Sequence, residues 1–118
     1  MDQDLGERLL DFAVRIVRLV DQLPANLVAR RIGDQLLRCG TSVGANYEEA
    51  QAAESKVDFI HKLQVALKEA RETRYWLLLL ARSGVVLAKR LTPLLDEGEQ
   101  LRAILSKSVA TAKGKAKS

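Results

Sequence analysis

His61 is the chain's one histidine and the first place to look for acid–base or metal chemistry, but no cysteine or second histidine lies near it in sequence. A lone imidazole on a helical run is expected at the surface or in an interface, not as a ligand or base. Glu48, Glu49, Glu69 and Glu72 could in principle converge on a di-metal centre inside a helical bundle. That chemistry draws on Glu-x-x-His pairs from facing helices, and the chain has none; Asp58-x-x-His61 is the nearest approach and occurs once. The single Cys39 cannot form an internal disulfide and falls on an apolar stripe, as a small buried residue in a reducing compartment would. No catalytic residue, metal-ligand set or cofactor is expected, and an enzyme finds no support in the side chains.

The densest polar chemistry lies in residues 40–50, Gly-Thr-Ser-Val-Gly-Ala-Asn-Tyr-Glu-Glu-Ala. Ser42 and Asn46 are one helical turn apart, and Glu49 is one turn beyond Asn46, so the three share a face. A buried Asn amide needs partners. A polar clamp between helices is the expected use, and recognition of a ligand is the alternative. Gly40 and Gly44, with Gly33, form a stripe at i, i+7 and i+11. Each costs a helix about 1 kcal/mol relative to alanine, which a closely approaching neighbour backbone would offset. A loop over Gly40 to Gly44 would also explain them. One long helix is the better expectation, because Val28, Ile32, Leu36, Cys39, Val43, Asn46 and Ala50 keep a single helical phase across the glycines.

The cations come in two groups. Lys and Arg number 19 against 15 Asp and Glu, a net charge of +4. Residues 1–105 are balanced, so the excess comes from Lys107, Lys113, Lys115 and Lys117, in a tail without acids. A short basic tail gives salt-sensitive, sequence-blind phosphate contact. Arg15 and Arg18 on the first helical run, with Arg30 and Arg31 on the second, are interleaved with acids. They read as a solvated face unless repeated subunits cluster them. Tyr75 and Trp76 are adjacent, hence about 100° apart on a helix; at least one belongs to the core or an interface.

Four helical runs must position these groups. One spans Asp4 to Gln22 and stops before Pro24, with Leu5, Leu9, Phe12, Ile16 and Leu19 as its seam. Leu10, Ala13, Val17 and Val20 form a second apolar stripe, more than one small bundle can cover. A second run opens at Asn26 as N-cap and reaches Ala52, with an Asp34–Arg38 pair at i,i+4. The third is capped by Ser55 and continues to Arg82, with a seam of Ile60, Leu63, Leu67, Ala70, Leu77 and Ala81 that Arg74 interrupts. Thr92-Pro93 reads as the cap and first position of the fourth. Past Val109 the apolar face ends and the chain should fray. The fold class expected is all-α, an up-and-down antiparallel four-helix bundle over residues 1–110 with a flexible basic tail over 111–118. The longest strictly apolar run, Trp76 to Ala81, is far too short to cross a bilayer. No signal segment opens the chain, so a cytoplasmic location is expected.

The motifs Ser42-Val43-Gly44-Ala45-Asn46-Tyr47-x-Glu49-Ala50, Ala53-x-Ser55 and Asp58-Phe59-Ile60-x-Lys62-Leu63 occur in that order. They are followed by Ala66-Leu67-Lys68-Glu69-Ala70-x-Glu72-Thr73-x-Tyr75-Trp76-Leu77 and preceded by Gln35-Leu36-x-Arg38. Together they resemble the small bacterial four-helix bundle family known as 23S rRNA intervening-sequence proteins, or S23-like proteins, over about residues 5–112. The resemblance implies a bundle that assembles into a homopentameric ring and carries no enzymatic activity. It also implies kinship with a retroelement accessory protein that contacts nucleic acid and a reverse transcriptase. The function expected is a non-enzymatic homo-oligomeric accessory protein associated with RNA. The alternative is a protein–protein adaptor that does not bind nucleic acid directly. The family name reflects gene location within rRNA genes and does not itself establish a ribosomal role.

Overall fold

The computed structural model describes residues 4–114 as four helices: α1 (Leu5–Asp21), α2 (Leu27–Gln51), α3 (Lys56–Arg82) and α4 (Ala88–Ala112). Short turns join them, so successive helices run antiparallel in a bundle 46 × 27 × 23 Å across. α2 packs against α1 and α3, and α3 against α4, while α1 and α4 meet only lightly.

Two of the three expected caps form. Asn26 Oδ1 accepts from the Ala29 N–H at 2.9 Å, and Ser55 Oγ accepts from the Asp58 N–H at 3.1 Å. α2 runs unbroken through Gly33, Gly40 and Gly44, so the loop alternative falls away. The physical reason is α1: a Cβ on Gly40 would stand 2.8 Å from Ile16 Cγ2, and one on Gly44 3.3 Å from Leu9 Cβ and 3.5 Å from the Leu9 backbone. α2 presents a side-chain-free strip to α1, and the approach it permits offsets the helix propensity lost there.

Helix α4 departs from expectation at both ends. It begins at Ala88, one turn before Thr92-Pro93, which leaves Pro93 inside the helix. Leu91 and Leu94 are both buried against the core, and their i,i+3 spacing holds the preceding turn helical. Thr92 does not cap; its Oγ1 donates back to the Ala88 carbonyl at 3.3 Å. At the far end the helix continues past Val109 to Ala112, beside Phe59, which shares a groove with Ile104, Thr111 and Ala112.

Leu9, Phe12, Ile16, Leu36, Val43, Leu63, Leu77, Leu101 and Leu105 form one continuous core. Two seams shift by a residue. Ala29 replaces Val28 at the base of α2, and on α3 the buried Thr73 fills the position next to the exposed Arg74. Thr73 satisfies its hydroxyl by donating to the Glu69 carbonyl at 2.8 Å. Among the described residues no helix is long and apolar enough to cross a membrane.

Candidate nucleic-acid interface

The polar face of residues 42–49 bonds within its own helix. Ser42 Oγ donates to the Arg38 carbonyl at 2.6 Å, and Asn46 Nδ2 donates to the Ser42 carbonyl at 2.9 Å. Glu49 is exposed. These residues therefore do not clamp one helix to another within the chain.

The interhelical clamp is Arg38, which the sequence reading paired with Asp34. Its guanidinium instead donates to Gln35 on α2, to Glu69 Oε1 at 3.2 Å and to Glu72 Oε2 on α3. Glu72 also accepts from Trp76 Nε1 at 2.9 Å, so one carboxylate serves both Arg38 and the indole. Against the desolvation that opposes charge, Glu72 and Glu69 hold the Arg38 pKa above its ordinary value. The signal was present in the antiparallel pairing of α2 with α3, which brings Arg38 level with Glu69 and Glu72. Trp76 packs against the core, and Tyr75, 60 % exposed, meets it edge to face at 5.2 Å between centroids.

Burial raises the Cys39 thiol pKa, opposed by a hydrogen bond involving Thr73; Sγ lies 3.7 Å from the Leu36 carbonyl. His61 is exposed. No group of three or more His, Cys, Asp or Glu able to hold a metal occurs among the described residues.

The expected phosphate-contacting residues fall at opposite ends of the bundle. Arg15 and Arg18 lie in the last half of α1, and Arg30 and Arg31 in the first turn and a half of α2. All four are exposed at the end where α1 turns into α2. Lys107 and Lys113 lie at the C-terminal end of α4, the other end of the molecule. A 25-residue helix at 1.5 Å per residue separates the two ends by roughly 37 Å. Lys115 and Lys117 lie outside the described residues.

A separate feature follows the outer side of α1. Leu10, Val14 and Val17 stand one above another at i, i+4 and i+7. Leu10 is 58 % exposed and Val17 46 %, and Leu37 of α2 is exposed beside them. Leu10 and Ala13 line a groove of about 440 Å³ with Thr41, Gly44, Ala45 and Glu48 of α2. Of the expected second stripe, Leu10 and Val17 stay exposed and are joined by Val14, whereas Val20 packs on the core beside Gly33 of α2.

Comparison with known proteins places this architecture. A solved protein of unknown function from the S23 ribosomal protein family of Bacteroides thetaiotaomicron VPI-5482 superposes with a TM-score of 0.83 at 38 % identity. The match covers 90 % of this chain and 98 % of that one. No curated protein matches the chain. The sequence profile of the 23S rRNA-intervening sequence proteins matches residues 2–107, and the chain belongs to that family.

Proposed function

We propose that the chain is a non-enzymatic accessory protein that assembles with copies of itself and associates with RNA. The observation that carries the RNA reading is the set Arg15, Arg18, Arg30 and Arg31, exposed at one end of the bundle, their side chains without an ion pair or hydrogen bond among the described residues. Interleaved acids led to the expectation of a salt-bridged face. The ion pairs that form lie elsewhere, at Arg8–Glu97, Arg38–Glu69, Arg38–Glu72 and Arg102–Glu99. Guanidinium forks suit phosphate geometry. Self-association has its own support in the uncovered stripe of Leu10, Val14 and Val17, and a ring of five is the assembly we propose. Multivalent display would then strengthen a weak contact to a long strand.

A second reading, a protein–protein adaptor, is favoured by one observation: Tyr75 lies exposed and edge-on to Trp76, one turn from the Arg38–Glu72 cluster. Aromatic and arginine side chains are enriched at protein interfaces. A nucleic-acid enzyme is the class of partner that would join the two readings.

Filter binding with a short and a long single-stranded RNA, each at low and moderate salt, separates them. An RNA-associated protein retains the long RNA better and loses it as salt rises. Failure to retain either RNA at low salt gives the adaptor reading the field.

A further inference from the structure

The charges of this chain are balanced along the sequence but not along the bundle. Between Asp11 and Glu48 the only carboxylates are Asp21 and Asp34, and between Glu72 and Asp96 there are none. Antiparallel packing brings the middle of the first stretch, about the α1–α2 turn, and the second stretch, about the α3–α4 turn, to one end of the bundle. Arg15, Arg18, Arg30 and Arg31 are joined there by Arg82, Lys89 and Arg90, all three exposed. None of the seven side chains has an ion pair or hydrogen bond among the described residues.

The groove between α1 and α4 shows the change most sharply. At its closed part Arg8 Nη2 meets Glu97 Oε1 at 2.7 Å, and a Cβ on Gly98 would touch the Phe12 ring at 3.4 Å. Arg15 is seven residues beyond Arg8, and Arg90 seven residues before Glu97, so each lies two turns further along the same helical stripe. Continuing the antiparallel register of the two contacts puts Arg90 level with residues 15–20 of α1. On that register the opposite charges that close the two helices at Arg8 and Glu97 give way, two turns on, to Arg15 and Arg90, both exposed and at about one level. Facing cations repel, and the repulsion is relieved when an anion lies between them.

We infer that this basic end, with the mouth of the α1–α4 groove at its centre, is where the phosphodiester backbone of a single-stranded RNA binds, and that Arg82, Lys89 and Arg90 belong to the contact. The inference rests on the RNA association proposed above; it locates the contact and adds three residues that sequence order did not connect with Arg15 and Arg18. Six of the seven cations are arginines, whose forks suit phosphate oxygens, so the contact proposed is to phosphate and not to base edges. In any closed cyclic assembly equivalent ends lie at one height along the axis, and the copies would form one continuous basic rim.

Filter binding of the full-length protein to a polyuridine strand and to a mixed-sequence strand of equal length, over a salt series, tests this. The triple variant R82Q/K89Q/R90Q should lose about tenfold or more in affinity at low salt, and its salt slope should fall by about 2, since each single-strand phosphate contact carries about 0.7. K56Q/K62Q/K68Q makes the same charge change toward the other end of the bundle and should leave the slope in place. So should removal of Ala112 to Ser118. The pair R15Q/R90Q removes facing cations: if the end is a site, RNA affinity falls while the melting temperature holds or rises, whereas a structural role would lower it. Should the parent bind RNA and both triple variants lose affinity equally, or should only the tail truncation weaken binding, the site is not at this end and the inference fails, while RNA association stands. A parent that binds neither strand at low salt overturns both.

Discussion

A methyl group built on Gly40 would lie 2.8 Å from Ile16 Cγ2, closer than real Cβ contacts come. Ile16 is fully buried, so it has little room to yield. Gly40→Leu should therefore destabilise the bundle by about 1–3 kcal/mol through overpacking, less whatever the better helix former returns. Urea melts followed by helix signal measure it, and a Gly40→Leu variant as stable as the parent would refute the close packing. Combining it with Ile16→Ala should recover part of the loss, because the two residues share one space.

Arg38 joins α2 to α3 through Glu69 and Glu72, yet its side chain is about half exposed. Water screens such a pair, so Arg38→Ala should shift the urea midpoint only slightly. The more informative change is Glu72→Ala. It removes the acceptor of Trp76 Nε1, and the chain has one tryptophan, so its emission reports the change in the indole's surroundings. An unaltered tryptophan spectrum in Glu72→Ala would show that the indole does not use it in solution.

How much of this was legible beforehand differs from element to element. The phase of α2 could be followed through its glycines because burial repeats every three to four residues however poor the local propensity. The start of α4 could not, because Thr92-Pro93 is a sound local signal and only the burial of Leu91, a tertiary fact, overrides it. Ser42 and Asn46 were legible as one face, but not that both would bond back along their own helix. The basic end was hidden for a related reason. Arg15 and Arg90 are 75 positions apart in sequence, and that they fall toward one end of the bundle follows from the antiparallel order of the helices. A running charge balance averages over such pairings; the fold does not.

Cys39 should resist alkylation in the native protein. Its side chain is fully buried, and burial holds the thiol pKa above its ordinary range, which leaves little of the reactive thiolate. The folded protein keeps this proton more firmly than the unfolded chain does. The thiol's contribution to stability is therefore complete below the unfolded pKa, and it is lost as pH rises through the folded value. Burial pushes Tyr47 the same way, helped by Asp4 and Glu48. Iodoacetamide labelling with and without denaturant, followed by mass, should show modification only on unfolding. Rapid labelling of the native protein at neutral pH would contradict the burial.

The stripe on α1 predicts the state of the protein in solution. Leu10, Val14 and Val17 expose a continuous apolar ridge, flanked by Leu37 and by the α1–α2 groove. Single exposed apolar residues are ordinary, but aligned ones beside a groove mark an interface. The ridge and the groove are different shapes on one subunit. A head-to-tail contact that sets one into the other closes into a ring when the rotation permits. Light scattering behind a sizing column should give a mass several times the 13.1 kDa of one chain, and five times that mass for the ring proposed here. Val14→Lys with Val17→Glu should reduce it to one chain while the helix signal is kept, since neither residue contributes to the core. A parent that runs at the mass of a single chain at micromolar concentration would remove self-assembly from the proposal. RNA binding would then have to be carried by one basic end alone, and long strands would gain no more over short ones than extra lattice sites supply.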